Sequence, residues 1–456
     1  MKQTNINPAA RRNLRAGAAA GIFAAAIAAT LVCVGSALAH HKNVEGAGGS
    51  ASGPRLTQDL TGSVPTHEGE RVRLSTELGS IVVHTQDANK VDYRIHLETD
   101  ASQKGAEQLL KSFAVSVKQT RDGVLLNAEA PGRRWTGRLW ATLELNIPKN
   151  VSLEVSTGGG NIDAPEIQGH VTLSTSGGNI TAGDIGGPAR LKTGGGNIVA
   201  KNVAGELYAG TGGGHIVIGT IAGNAMLHTS GGHIRVASIQ GTARLETGGG
   251  NITLGHSGAD LVASTDGGEI QVGEAAGLVR AKTAGGGIRV VRMFGPTNLE
   301  TGGGSIYLTQ VDSPVKASTS SGGITAWFVA PPKPSGTCDL QSSAGDIVVH
   351  LPRQLPVTID AQVENGDAHR VIVDPAFPLK VSYDDSSKAH AVRAEGALNG
   401  GGELLRLRTV AGNIRFVLSD ADKQMELYKQ QMAQLQKQTE ELQKQLMQQG
   451  LPLNNP

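Results

Sequence analysis

Large rings and charge are both scarce in this chain. Aromatic residues make up 3% of its 456 residues and charged residues 18%. The first shortage argues against a core built around aromatic side chains, and the second excludes a highly charged disordered chain. Lys+Arg number 41 and Asp+Glu 40, so no global field draws the chain to nucleic acid. There are only two cysteines. Catalytic signatures are missing as well. The glycine runs lack the Lys-Ser/Thr of a phosphate loop, and there is no G-x-S-x-G elbow and no H-E-x-x-H. The Gly-Gly pairs also lack the regular Asp of calcium-binding nonapeptide repeats. What is abundant is glycine, with 63 residues against an ordinary share of about 7%.

The N-terminus reads as an export signal over residues 1–39. Arg11, Arg12 and Arg15 flank an uncharged stretch from Ala16 to Ala39 that ends in Ala37-Leu38-Ala39. The stretch is also long enough to be a membrane anchor if it is not cut. The Ala-rich core favours cleavage, and Val32 before Cys33 argues against a lipid anchor there. Cys33 lies in the signal, so the exported part keeps Cys338 alone and forms no internal disulfide; its thiol is expected to be a buried small hydrophobe. Residues 40–60, with Gly46-Ala47-Gly48-Gly49-Ser50, read as a flexible linker.

The middle of the chain repeats every 18 residues. Isoleucine falls at Ile162, Ile180, Ile198, Ile216, Ile234, Ile252, Ile270, Ile288, Ile306 and Ile324. Five residues before each stands a threonine, from Thr157 to Thr319, with a glycine-rich turn between them. Within a unit, apolar residues alternate with polar ones, the period of a β-strand. One unit cannot bury its inner face alone, but stacked units can. The expected fold is therefore all-β: a parallel β-solenoid whose isoleucines form a continuous internal ladder. Ten turns at about 4.8 Å make a rod of roughly 45–50 Å. The period is too short for a propeller blade.

The flanks carry degenerate copies. Thr76 precedes Ile81, Ser342 precedes Ile347, and Thr409 precedes Ile414, each by five residues. Residues 61–155 read as an N-terminal β-rich cap with a short helix near Ala106–Phe113. Residues 156–324 are the regular solenoid, and 325–419 are irregular terminal turns with Pro331-Pro332-Lys333-Pro334 on a loop. Residues 420–449 form a heptad helix. Met425, Met432 and Leu446 repeat in step with Tyr428, Leu435 and Leu442. Such a stripe either packs on the solenoid's own end or self-associates as a coiled coil; a homo-oligomer through this helix is the favoured expectation.

The run Ile147-Pro148-Lys149-Asn150-Val151-Ser152-Leu153-Glu154-Val155-Ser156-Thr157-Gly158-Gly159-Gly160-Asn161-Ile162 resembles a bacterial exported family labelled "putative adhesin", a β-solenoid domain of unknown function. The closing Leu398-Asn399-Gly400-Gly401-Gly402 before Thr409–Ile414 is similar too. The likeness covers about residues 70–418. It implies an exported, envelope-associated protein that is not an enzyme, and it brings no catalytic residues.

Three sets of residues are site candidates. The residues just before the isoleucines form a column: Asn161, Asn179, Asn197, His215, His233, Asn251 and Glu269. An amide ladder capping the glycine turns is the favoured reading. The alternative is a zinc or copper site at His215 and His233. A second column carries Arg190, Tyr208, Arg244, Arg280 and Lys316. It reads either as solubilising surface or as a site for anionic glycans by charge and stacking. Neighbouring turns are expected to pair His228 with Glu246 and Lys282 with Glu300. Third, Asp266, Glu269 and Glu274 are the one tight acidic group of the repeats.

Together these features predict an exported, non-enzymatic β-solenoid. It acts as an adhesin or cell-envelope scaffold by multivalent surface contacts, without a cofactor, and is periplasmic, cell-surface or secreted. Its partner would be a glycan or another cell-surface component, not nucleic acid. Two alternatives remain at this stage. One is a carbohydrate-active enzyme on a β-helix, which would need acids converging in a cleft. The other is an envelope sensor or assembly protein that binds a partner through the C-terminal coiled coil.

Overall fold

The computed structural model describes residues 54–130, 138–329, 336–366, 368–384 and 390–450. The export segment, most of the expected linker and the Pro331–Pro334 loop lie outside these residues.

The repeats stack as two long parallel sheets, one through the isoleucines and one through the threonines. Every strand pairs with its equivalent 18 residues away: Ile198 sits opposite Ile216, and Ile216 opposite Ile234. In the other sheet Thr193 sits opposite Thr211, and Thr211 opposite Thr229. One irregularity interrupts the register, between Leu308 and Val311. The degenerate flanks join the same stack. Ile81 pairs with Ile162, Ile324 with Ile347, and Ile347 with Ile414. All of these isoleucines are fully buried.

Two atomic devices hold one turn on the next. The threonine hydroxyl donates to a glycine carbonyl of the preceding turn and accepts a glycine N–H from its own turn. For Thr247 these are Gly232 O at 2.7 Å and Gly250 N at 3.2 Å. The same pair of bonds recurs from Thr175 to Thr319, and Ser342 makes the inter-turn bond to Gly322 at 2.9 Å. Thr247 is buried, so Thr247→Val strands one donor and one acceptor away from water. The expected loss is about 1–3 kcal/mol, read as a lower unfolding midpoint in denaturant, while Thr247→Ser should recover most of it. A Thr247→Val midpoint equal to that of the native chain would show that the hydroxyl clamps nothing.

The second device is the glycine immediately before the Asn/His column. A Cβ on Gly178, Gly196, Gly214, Gly232 or Gly250 would come closer than 3.0 Å to the carbonyl of the turn below. Only a residue without a side chain lets the backbones approach this far.

Both ends close by leaving the 18-residue path. At the N-terminal end the isoleucine sheet gains Leu139–Pro148, then Lys90–Asp100, then Arg55–Pro65, the last two pairings antiparallel. The threonine sheet gains Gly123–Glu129 and antiparallel Ala114–Thr120. Helix α1, Ala106–Lys111, buries Ala106, Leu109 and Leu110. At the C-terminal end Val357–Val363, Ala391–Leu398 and Lys380–Asp384 extend the threonine sheet. One boundary is corrected. Residues 55–60 are not linker but the start of the outermost strand, where Leu60 pairs opposite Ile95 and Leu56, Leu60 and Val64 pack on the core. Polar residues alternate with these three, which hid the strand behind the glycine-rich segment before it. Cys338 is half-buried rather than buried, and burial pushes its thiol pKa up.

The largest departure from expectation is the tail. Helix α2, Ala421–Gly450, lies along the outer face of the isoleucine sheet, crossing strands from Ile306–Val311 back to Ile180–Ile185. It is not a free coiled-coil strand, and it does not sit on the solenoid's end. Leu435 is buried and the Tyr428 hydroxyl donates to Glu274, but Met425 is 46% exposed. Gln424 donates to Thr309 O at 2.9 Å, and Thr309 Oγ1 donates to Gln431 at 2.7 Å. The docked face therefore follows Gln424, Tyr428, Gln431, Met432 and Leu435, at helical spacing. The side chains of Leu442 and Leu446 lie outside the described residues. Two features of the sheet make room for the helix. Three residues after the isoleucine the bed carries Gly183, Gly219, Ala237, Gly255 and Gly273, a run of small residues broken by Lys201 and Val291. A Cβ on Gly273 would stand 3.1 Å from Met432 Sδ. Lengths also match, since thirty helical residues at 1.5 Å cover about nine turns of roughly 4.8 Å.

Candidate functional site

With α2 on the isoleucine sheet, the threonine sheet presents the other broad face, and the predicted surface column lies on it. Arg190, Tyr208, Met226 and Arg244 stand opposite one another on successive strands. Val262, Arg280, Asn298 and Lys316 continue the line. All five predicted members are therefore in one file, all pointing outward. The Arg190 guanidinium stacks on Tyr208 at 4.5 Å. Arg244 pairs with Glu246 at 2.5 Å, whereas Arg280 and Lys316 have no ion-pair partner among the described residues. Met226, which sequence reasoning passed over, is 49% exposed beside Tyr208. Next to the file runs a second outward column. There His228 approaches Glu246 at 3.8 Å and Lys282 pairs with Glu300 at 3.3 Å. These are exposed pairs, worth about 0–1 kcal/mol each.

The Asn/His column is a ladder, but of a different kind from side chain bonded to side chain. Each side chain accepts the backbone N–H of the next rung. Asn161 Oδ1 accepts from Asn179, and Asn179 Oδ1 from Asn197. His215 Nδ1 accepts from His233 N at 2.9 Å, and His233 Nδ1 from Asn251 N at 2.8 Å. The two rings stack 5.0 Å apart and 6° from parallel. This corrects the metal candidate. With Nδ1 held as an acceptor, the neutral ring carries its proton on Nε2, so neither nitrogen keeps a free lone pair for a metal ion. Among the described residues no group of three or more His, Cys, Asp or Glu could hold a metal ion.

Burial, and after it the nearby Arg235 guanidinium, lowers the pKa of both His215 and His233 below 6.5. The sign follows from linkage. Well above pH 6.5 neither folded nor unfolded rings take a proton. As pH falls through 6.5 the unfolded chain binds protons that the folded rings refuse, so stability is lost toward acid. Asparagine does the same job at Asn197 and Asn251 without titrating. The double variant His215→Asn/His233→Asn should therefore lose less melting temperature than the native chain between pH 7.5 and pH 5. Parallel melting curves would contradict this role.

The acidic group does not converge. Asp266 sits in a glycine turn, Glu269 in the ladder column, and Glu274 beneath α2, bonded by Tyr428. His256 Nδ1 lies 3.8 Å from Glu274, closing a polar cluster under the helix. No sequence signal marked it, because nothing placed α2 on that face.

Comparison with known proteins follows this geometry. No curated protein matches the chain. Among solved structures, it is similar to a "putative cell adhesion protein" from Clostridium sporogenes. The identity is 9%, over 80% of this chain and 100% of that one, with a TM-score of 0.18. A "putative adhesin" from Bacteroides fragilis aligns at 14% identity over 55% of this chain and 96% of that one, with a TM-score of 0.25. Another from Parabacteroides distasonis aligns at 12% over 57% and 93%, with a TM-score of 0.24. A family model, Toastrack DUF4097, matches residues 71–391, a span running from the first threonine-sheet strand, Arg71–Thr76, to the terminal hairpins. That span covers most of the chain, and the chain belongs to Toastrack DUF4097.

Proposed function

We propose that this is an exported, non-enzymatic contact protein of the bacterial envelope, an adhesin or scaffold whose working surface is the bare face of the threonine sheet. The observation that carries the reading is the asymmetry of the two faces. One is covered by α2, while the other holds outward side chains in unbroken files one strand spacing apart. Contacts that are weak singly become strong when many engage a rigid array at once. The basic, apolar, small-residue order of residues 1–39 supports export, and the dispersal of Asp266, Glu269 and Glu274 supports a binding role over hydrolysis.

The test is retention of bacterial envelope fragments on beads carrying the full exported chain. A bulky polymer coupled at Ser264→Cys and Ser318→Cys, on the bare face, should abolish retention. The same polymer at Lys437→Cys, on the exposed side of α2, should leave it unchanged. Equal retention in both cases would sink the assignment of the face.

A further inference from the structure

We infer that the bare face binds a linear polysaccharide carrying a carboxylate on every second sugar, laid along the solenoid axis. This rests on the reading of that face as the contact surface and names the chemistry it takes.

From Arg244 onward the outward file runs Arg244, Val262, Arg280, Asn298, Lys316, a cation alternating with an uncharged residue. Neighbouring strands are about 4.8 Å apart, so the cations recur at roughly 10 Å. A sugar in an extended chain spans about one strand spacing, and acids on alternate sugars then fall opposite successive cations. Arg280 and Lys316 are exposed and hold no carboxylate among the described residues, so their charges are free to meet one.

The other end of the file supplies an apolar contact. Tyr208 and Met226 lie in an open trough between Arg190 and Arg244. Glu206, Asn224 and Asp260 stand along its rim. The exposed Met226 thioether and the edge of the Tyr208 ring, whose face Arg190 covers, suit the C–H face of a sugar ring, with the rim oxygens and amide available to its hydroxyls. The rim carboxylates of Glu206 and Asp260 repel a backbone charged at every unit. The face therefore selects a sparsely acidic polymer over a polyphosphate or a polyuronate.

Calorimetric titration of the full chain with hyaluronan oligosaccharides, whose acidic and N-acetylated sugars alternate, tests this. Binding should weaken as salt rises. It should be tighter than binding of polygalacturonate, acidic at every sugar, or of neutral chito-oligosaccharides. Arg280→Ala and Lys316→Ala should each weaken it about two- to fivefold, and the triple variant Arg244→Ala/Arg280→Ala/Lys316→Ala at least about tenfold, with unchanged thermal melts. Hyaluronan bound no better than the other two polymers, or bound equally by the triple variant, overturns the inference. Should envelope fragments still be retained on beads in that case, the contact-surface reading stands and only the polymer assignment falls.

Discussion

Replacing Gly196 with alanine is expected to break the stack at its own turn, while Gly195→Ala, one residue earlier in the same turn, leaves it intact. At Gly196 an added methyl would meet Gly178 O, Gly178 C and Asn179 N, all nearer than 3.0 Å. These are backbone atoms of the turn below. They cannot rotate away, so the two turns must separate. Separation stretches the Ile180–Ile198 rung and weakens the Thr193 bond to Gly178 O. The cost is at least about 3 kcal/mol, at the upper end for overpacked sites. At Gly195 nothing lies within 4 Å of the new methyl, so the change should stay within about 0.5 kcal/mol. Hydrogen exchange reads the difference locally. In Gly196→Ala the amides of Ile180 and Asn197, bonded to Asn197 O and Asn179 Oδ1 across the opened contact, should lose protection, while those of the distant turns near Ile306 keep theirs, because each turn contacts only its neighbours. Equal protection in the two variants would mean that turns are not held at backbone contact.

Removal of residues 420–456 should both destabilise the chain and make it associate. The face under α2 carries Val199, Val217 and Val291 at outward positions, yet each is almost fully buried. Exposing three such side chains costs roughly 1.5–3 kcal/mol each, an upper bound, and the burial of Leu435 is lost with the helix. The truncated face then exposes Val199, Val217 and Val291 beside the polar cluster of His256 and Glu274, an apolar patch able to meet another copy. Light scattering should show larger species for the truncated chain than for the full one, and its melting temperature should fall. A truncated chain with the size and melting point of the full one would show that α2 contributes no packing. Tyr428→Phe is a milder probe, removing the hydroxyl's bonds to Glu274 and Arg292 and so costing about 0.5–1.5 kcal/mol.

Much of this architecture was readable before any coordinates. Residues 18 apart meet because a strand in a parallel stack can pair only with its own equivalent, so Ile198, Ile216 and Ile234 reveal the register by recurring. Even the outlying Ile81 and Ile414 were legible, since their threonines keep the five-residue lead. The file from Arg190 to Lys316 followed from the same arithmetic. What was not readable depended on contacts with no fixed separation in the chain. The strand beginning at Arg55 finds its partner across a hairpin of variable length, and its alternation of Leu56, Leu60 and Val64 is ordinary by itself. His215 and His233 look the same in sequence whether they hold a metal ion or a backbone N–H, and only ring orientation distinguishes the two.

The sequence by itself determined the repeat, the two-sheet stack and the identity of every inward column, because periodicity is a local property copied from turn to turn. Only the tertiary structure decided which broad face stays bare. A heptad stripe states that a helix has an apolar side but not what will cover it. The answer lay 122 residues away, where Thr309 and a bed of glycines offer α2 a groove of matching length.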